Sequence, residues 1–207
     1  LIMVHSDDYG LVLPPRIAPR QVVIIPIGND EAVINLANEY NNKLNLAGIV
    51  SYIDNSDKTP GFKFAEAEVN GIPVRIEIGK RDLAENKITL ARRDTREKIV
   101  ESKNIDLVEY VKNLLEIIQN DMYNKAVARR DELTFTVHNL TEFANVLNTK
   151  PGFIHADWCG DDNCELRVKE IKGCKSRCIL ENEPLVDGKC VVCGKEAKHH
   201  VVWGIQY

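Results

Sequence analysis

Four cysteines near the end of the chain have the spacing of a metal site. Cys159 and Cys164 form a C-x4-C pair within WCGDDNCE, and Cys190 and Cys193 form a C-x2-C pair within CVVCGK. Two short turns that each present a pair of thiolates can surround a tetrahedral ion, and zinc commonly takes four such ligands. Four sulfurs leave no open position for a substrate. The pattern therefore predicts a structural zinc site rather than a catalytic one.

The neighbouring cysteines and histidines are interpreted as structural. All 6 cysteines of the chain lie between residues 159 and 193, and this clustering indicates a role in one local part of the structure. Four ligands complete a tetrahedral site, so Cys174 and Cys178 are not needed as ligands. We interpret them as small buried apolar side chains, and a role as ligands stays open as the alternative. For His199 and His200, packing or surface positions are favoured over metal ligation.

The composition is that of an ordinary globular protein. The 207 residues are 44% hydrophobic and 28% charged, with a net charge of −4, and no run approaches the length of a membrane span. The opening residues lack a basic leader before an apolar stretch, so we expect a cytoplasmic protein. Because the chain opens at Leu1 inside an apolar run, we expect a fragment. No nucleophile elbow, phosphate-binding loop or dinucleotide motif is present, so no catalytic residue is predicted.

A local basic region is the second feature that could carry chemistry. Between residues 58 and 98 there are ten Lys or Arg against seven Asp or Glu. In NGIPVRIEIGKRD the isoleucines and valine alternate with Arg75 and Glu77, so we expect one face in the core and the other open to a ligand. Arginine bonds the acceptor edge of guanine, and carboxylates accept from base amino groups.

Two interpretations of this region stay open: a solvated surface or a nucleic-acid interface. Arg81, Arg92 and Arg93 lie close in sequence to the alternating strand and favour the second interpretation. Phe62 and Phe64 are equally compatible with stacking on unpaired bases and with a place in the core.

Strands alternate with helices over about the first 125 residues and would position these groups. Continuous or alternating apolar runs predict strands at 20–27, 46–54, 72–78 and 86–95. Apolar residues at helical spacing predict helices at 33–44 and 105–126, and Asn139 with Glu142 predicts a capped helix to Leu147. Residues 57–63 are predicted to be a loop because Pro and Gly interrupt them. The order indicates an α/β domain followed by a small Cys-rich domain.

Several motifs together resemble one family, the archaeal and eukaryotic-type class II prolyl-tRNA synthetases. They are GLVLPPRIAPRQVVIIPI, TPGFKFAEAEVNGIPVRIEIGKRDL, ARRDT, the two cysteine pairs and a C-terminal Tyr207. The resemblance implies the end of a catalytic domain and a linker at residues 1–18. It implies a mixed-sheet α/β anticodon-binding domain at 19–125 and a small α+β zinc-binding domain at 126–207.

The resemblance also implies roles for individual residues. Glu68 and Arg75 match positions that read the two guanosines common to proline anticodons, and Arg81 matches a basic position beside them. Because they lie in the same basic region of the sequence, Arg92 and Arg93 are assigned to the same anticodon-binding patch. The four paired cysteines match zinc ligands, and Tyr207 matches a terminal residue whose carboxylate folds back toward the active site. Ala67 departs from the family, which usually has tryptophan there.

The implied function is the anticodon-binding part of a proline–tRNA ligase, which joins proline to its tRNA using ATP. The expected partners are proline tRNA and, for the intact enzyme, proline, ATP and Mg, in a homodimer formed through a catalytic domain outside this chain. No membrane is expected among the partners. Two alternatives stay open: a free-standing tRNA-binding accessory protein with a structural zinc module, and a zinc-stabilised protein-interaction module.

Overall fold

A computed structural model describes residues 1–205. The chain divides into two compact units, Leu1–Lys125 and a second unit beginning at Ala126, and the division falls inside a long helix. The strands of the first unit are β1 Ser6–Asp7, β2 Gly10–Leu11, β3 Val22–Ile27, β4 Ser51–Ile53, β5 Val74–Gly79, β6 Lys87–Arg92 and β7 Lys98–Ser102. Its helices are α1 Glu31–Leu46, α2 Pro60–Val69, α3 Lys80–Ala84 and α4 Leu107–Glu132, the last running past the division.

A five-stranded mixed sheet forms the centre of the first unit. Its strand order is β4-β3-β5-β6-β7, in which β3 pairs in parallel with β4 and β5, while β6 and β7 continue the sheet antiparallel. The side chains of strand β3 are buried on both faces of the sheet, which fits its continuous apolar sequence. Helices α1 and α4 bury their apolar stripes on one face, and α2 lies over the other with Ala67. The predicted mixed-sheet α/β fold is confirmed.

The prediction of a loop over residues 57–63 is wrong in its second half. Helix α2 begins at Pro60 and continues to Val69, with Thr59 as its N-cap. Proline is tolerated at the first helical position because that residue's N–H has no partner within the helix in any case, and its fixed φ suits a helix start. The proline therefore marks where the helix begins and does not interrupt it.

The second unit packs helices against a four-stranded sheet. Its elements are β8 Thr134–Thr136, α5 Leu140–Thr149, β9 Phe153–Trp158, α6 Asp162–Lys169, β10 Cys174–Ile179 and β11 His199–Ile205. The strand order is β10-β11-β9-β8, and Phe143, Ile154 and Trp203 are buried in its core. The predicted cap of α5 is confirmed, because the Asn139 side chain accepts a hydrogen bond from the Glu142 N–H at 3.0 Å. Across residues 1–205, each helix is too short or too polar to traverse a bilayer.

Candidate metal centre and nucleic-acid interface

The four paired cysteines converge in the second unit. The Sγ atom of Cys159 lies 3.8 Å from the Sγ atoms of Cys164 and Cys193, and the four sulfurs lie within 4.8 Å of one another. Zinc bound to four sulfurs at about 2.3 Å requires sulfurs about 3.8 Å apart at the corners of a tetrahedron. The cluster therefore fits the donor set and size of a zinc site.

Short local structures hold each pair of sulfurs. Cys159 follows β9, and Cys164 lies in the first turn of α6, which begins at the N-cap Asp161. Gly160 and Gly194 adopt φ values of 88° and 69°, the left-handed region that glycine enters without strain. The Gly194 N–H donates to the Cys190 carbonyl at 2.9 Å and closes the second turn. Spacing and glycine placement thus explain why these pairs were recognisable from sequence.

The electrostatics of the cluster favour a bound cation. Burial raises the pKa of the Cys159 and Cys164 thiols, which disfavours free thiolates. Burial would also raise the pKa of Cys190, but hydrogen bonds from the N–H groups of Cys193 and Val192 outweigh it and lower that pKa to about 7. Thiolates this close repel one another, so a positive ion between them would stabilise the charged form.

The remaining cysteines lie outside the cluster. Cys174 is fully buried in the core of the second unit, as predicted for a small apolar side chain. Cys178 is exposed on β10, so its interpretation as a buried residue is wrong. It lies on an edge strand after a register shift near Ser176, a feature that its sequence context does not reveal. His199 packs against the ring of Trp158 at 5.7 Å between centroids.

In the first unit, Arg75 is buried, and the expectation that its face of β5 is open to a ligand is wrong. Only 9% of its side chain is exposed, because α2 covers this face of the sheet. Its Nε donates to Glu77 Oε1 at 3.0 Å and its Nη1 to Glu68 Oε1 at 3.1 Å. The guanidinium also lies over the Phe64 ring, 4.4 Å from the centroid. Arg75 is thus engaged by protein groups.

Glu68 connects this buried network to solvent. Its side chain is 26% exposed, and one carboxylate oxygen accepts from Arg75. Its backbone carbonyl accepts from Arg93 Nε at 3.0 Å. A cavity of about 10 Å³ lies beside it, lined partly by Ala67. Glu68 is therefore held in place at both its main chain and its side chain, while part of its side chain stays accessible to solvent.

Arg92 and Arg93 are paired with carboxylates of the protein. The sequence had suggested that both cations would be available to RNA. Arg93 donates to both carboxylate oxygens of Asp7, at 2.6 and 2.9 Å, and its side chain is only 2% exposed. Arg92 bonds Asp94 through two nitrogens at 2.7 and 3.0 Å and reaches Asp121 at 2.7 Å. These contacts raise the pKa of Arg92. Both arginines stabilise the protein's own structure.

The exposed part of the patch consists of other groups. Arg81 is exposed on α3, as expected for a group that meets a polyanion. Phe62 is 55% exposed beneath Lys58, whose Nζ lies 4.7 Å from the ring centroid. Sequence reasoning missed three further cations that lie over aromatic rings, Arg20 on Tyr52, Arg96 on Tyr9 and Lys98 on Phe64. Their partners are distant in sequence, so no local pattern signals them.

The Asp7–Arg93 pair predicts a specific acid sensitivity. The side-chain hydrogen bond from Arg93 lowers the pKa of Asp7 from 3.8 to about 2. Because the folded-state pKa is depressed, the stabilisation is complete above the unfolded value of 3.8 and is lost as pH falls through about 2. Asp7 is 39% exposed, so solvent screening limits the contribution to about 1 kcal/mol.

We expect Asp7→Asn to have a lower free energy of unfolding than wild type at neutral pH. The difference in unfolding free energy between the two proteins should shrink as pH falls from about 4 to 2. Urea titrations across this range measure the effect. Asp8 is the exposed neighbour, and Asp8→Asn is the matched control. Its unfolding free energy should follow that of wild type across the whole pH range. A constant gap between Asp7→Asn and wild type would contradict the prediction.

Tyr207, assigned to an active-site-reaching C-terminus, lies outside the described residues. The predicted positions within residues 1–205 therefore form two separate groups, each described within its own unit. The four cysteines form one cluster in the second unit. Glu68, Arg75 and Arg93 are joined by hydrogen bonds in the first, while Arg92 pairs elsewhere and Arg81 faces solvent.

Comparison with known families assigns both units. Residues 21–116 match the family model described as the anticodon binding domain, and residues 140–207 match the model described as the prolyl-tRNA synthetase C-terminal domain. The first match lies within the first unit and the second match within the second unit.

Individual relatives agree with these matches. The chain is 50% identical over 209 residues to a proline–tRNA ligase of Clostridium novyi (strain NT), covering 100% of this chain and 43% of the relative. A proline–tRNA ligase of Lachnospira eligens is 46% identical over 208 residues, with coverage of 100% and 43%. The crystal structure of prolyl-tRNA synthetase from Cryptosporidium parvum complexed with L-proline and AMP superposes with a TM-score of 0.90 at 35% identity, covering 100% of this chain and 45% of that one. The chain thus spans less than half the length of these relatives.

Proposed function

Because the chain belongs to the prolyl-tRNA synthetase family, whose anticodon-binding and C-terminal domains it carries, we propose that it is the tRNA-binding part of a proline–tRNA ligase. The intact enzyme would join proline to its tRNA with ATP and Mg²⁺. We assign those substrates, and contacts that form a homodimer, to the part of the relatives' length that this chain does not span. The observation that supports the proposal is a guanine-compatible carboxylate, Glu68, held at a partly exposed position of an anticodon-binding fold.

Glu68 is proposed to read guanine directly. The Watson–Crick edge of guanine presents two adjacent donors, N1–H and the 2-amino group, and a carboxylate accepts from both. Adenine lacks this pair of donors, so the contact would select guanosine. Arg75 holds one oxygen of Glu68 at 3.1 Å and thereby orients the carboxylate. Arg75 is thus proposed as a positioning residue, in place of the direct base contact that the family resemblance implied.

The exposed cations are proposed to bind the RNA backbone. Arg81 and Arg96 are exposed, and each can neutralise a phosphate and release counterions. Phe62 offers an exposed ring on which an unpaired base can stack. Backbone contacts of this kind supply affinity that falls as salt rises, while Glu68 supplies discrimination between bases.

The cysteine cluster is proposed to hold a structural zinc ion. Cys159, Cys164, Cys190 and Cys193 would supply all four ligands and leave no position for a substrate. Bound zinc would join the segment after β9 to the loop before β11, since the two pairs lie in these segments. A reducing compartment such as the cytoplasm keeps thiols available for the metal, and we propose that location.

The Glu68 proposal predicts a selective loss of tRNA affinity. Glu68→Gln keeps the size of the side chain but exchanges one accepting oxygen for an NH₂ donor, which would oppose the donors of guanine. We expect binding of proline tRNA to weaken by about 1 to 3 kcal/mol at fixed salt, as measured by filter binding. The dependence of affinity on salt concentration should not change.

Two controls make this test decisive. Glu85→Gln removes the same charge from an exposed residue at the end of α3, and it should leave affinity close to wild type. A proline tRNA whose anticodon guanosines are replaced by adenosines should bind the wild type and the Glu68→Gln variant equally weakly. Full affinity of Glu68→Gln for the unaltered tRNA would overturn the assignment.

A further inference from the structure

A second group of potential metal ligands lies in the second unit, apart from the four cysteines. His155 on β9, His200 on β11 and Glu183 in the loop between β10 and β11 place one ligand atom each within 4.8 Å of the others. Strands β9 and β11 are antiparallel neighbours, so the two imidazoles approach across the ladder. Neither the family matches nor the tRNA-binding proposal gives this group a role.

The ring nitrogens have the orientation of metal ligands. His200 Nδ1 lies 2.8 Å from the Pro184 carbonyl oxygen, and since a carbonyl only accepts, Nδ1 carries the proton in the neutral ring. His200 Nε2 then accepts a hydrogen bond from His155 Nδ1–H at 3.2 Å, so the two nitrogens that would bind the ion already face each other. Metal-binding histidines are commonly fixed in this way, with the second nitrogen donating to a backbone carbonyl.

The loop that carries Glu183 and Pro184 is fixed by an independent contact. Asp157 is 1% exposed, and its carboxylate accepts hydrogen bonds from the N–H groups of Val186, Asp187 and Gly188 at 2.9, 3.0 and 2.9 Å. These three bonds hold the loop against β9 just beyond Pro184. The carbonyl that sets the His200 tautomer is thus positioned by the fold itself, so the site is largely preformed.

Burial and distance suit a metal ion with one side open to solvent. His200 is 8% exposed, His155 is half-buried and Glu183 is exposed. Two nitrogens bound to zinc at about 2.0–2.1 Å would stand about 3.3 Å apart in a tetrahedron, close to the observed separation.

We propose that His155 Nδ1, His200 Nε2 and the Glu183 carboxylate bind a divalent transition-metal ion of borderline softness, of which zinc is the best match. Two imidazoles and one carboxylate are a donor set that such ions accept, and the fourth position would take water. His155 must present a bare Nδ1, so its proton passes to water while Nε2 takes a proton from water. The neutral ring changes tautomer with no net loss of charge.

Zinc counting on the intact chain tests the proposal. Equilibrium dialysis against a zinc buffer, with free zinc raised from nanomolar to micromolar, followed by metal analysis, should show two zinc ions per chain that bind in separate steps. The tighter step reports on the cysteine cluster and the weaker step on the histidine site. Failure of the tRNA-binding proposal would not affect either step. A wild-type chain that takes up only one zinc over the whole range would overturn the inference.

Variants assign the second step to these residues. We expect His155→Ala and Glu183→Gln each to weaken the second step by roughly tenfold or more while the first step persists, which also shows that the unit is folded. His138→Ala removes an exposed histidine of the same unit that lies outside the group, and it should retain both steps. A second step that survives in both His155→Ala and Glu183→Gln would also overturn the inference.

Discussion

Replacing Cys164 with serine is expected to unfold the unit that begins at Ala126 while Leu1–Lys125 stays folded. Cys164 is 6% exposed and contributes one of four sulfurs that lie within 4.8 Å of one another. In zinc-finger peptides the bound metal contributes roughly 10 to 16 kcal/mol, whereas whole domains are stable by about 5 to 15 kcal/mol. Loss of one ligand weakens binding of the ion. The stabilisation lost in this way is expected to exceed the free energy of unfolding of a small unit.

The two units should respond differently because each has its own core. The first buries its apolar side chains around β3 and β5, and the second around Phe143 and Trp203. Amide hydrogen exchange resolved along the sequence measures both units in one experiment. Protection should vanish after about residue 126 in Cys164→Ser and persist in β3 and β5. Adding a strong chelator to the wild type should reproduce the same pattern.

Cys178→Ser is the matched control for this prediction. It makes the same chemical change at an exposed cysteine of the same unit that lies outside the cluster. We expect its unfolding free energy to stay within about 0.5 kcal/mol of wild type. If Cys164→Ser kept wild-type protection in the second unit, or lost no more than Cys178→Ser, the cluster would not hold a structural ion.

Local patterns in the sequence explain which features were predictable. The cysteine pairs are recognisable because a knuckle is a few residues long and its glycine lies next to its ligand, as at Gly160 and Gly194. The buried run of β3 and the apolar stripe of α1 are equally local, since burial on two faces and on one face leave different periodicities. These features require no knowledge of what packs against them.

Contacts between distant residues explain what sequence reasoning missed. Alternation in β5 correctly placed Arg75 opposite the isoleucines, but it contains no information on whether α2 covers that second face. The carboxylate that neutralises Arg93 comes from Asp7, 86 positions earlier in the chain. Asp157 likewise bonds a loop about 30 residues later. Arg75 and Arg93, which were predicted to meet a ligand, therefore bond carboxylates of the protein itself.

Arg75→Met is expected to destabilise the first unit by about 3 kcal/mol, because it removes the buried cationic partner of the Glu77 carboxylate. Glu77 is 8% exposed at its side chain and receives a 3.0 Å hydrogen bond from Arg75. Lys98 still reaches its other oxygen at 2.9 Å, which keeps the expected loss near the lower end of the range for broken buried pairs. Urea unfolding followed by a probe in the first unit measures the change.

Two variants separate this effect from a simple loss of positive charge. Arg81→Met removes the same charge from an exposed position on α3, so its stability should stay within about 0.5 kcal/mol of wild type. Arg75→Met combined with Glu77→Gln removes the buried charge along with its partner and should recover part of the lost stability. Equal unfolding free energies for Arg75→Met and Arg81→Met would contradict the buried network.

The same pair of variants should divide tRNA binding into two components. Arg81→Met should weaken binding to proline tRNA and unrelated tRNAs alike and reduce the salt slope by about one, as expected for a lost phosphate contact. Arg75→Met should keep the salt slope but lose preference for proline tRNA, because Glu68 no longer has the hydrogen bond that orients its carboxylate. A reduced salt slope with preserved preference in Arg75→Met would show that this arginine meets phosphate directly and would replace the positioning role proposed for it.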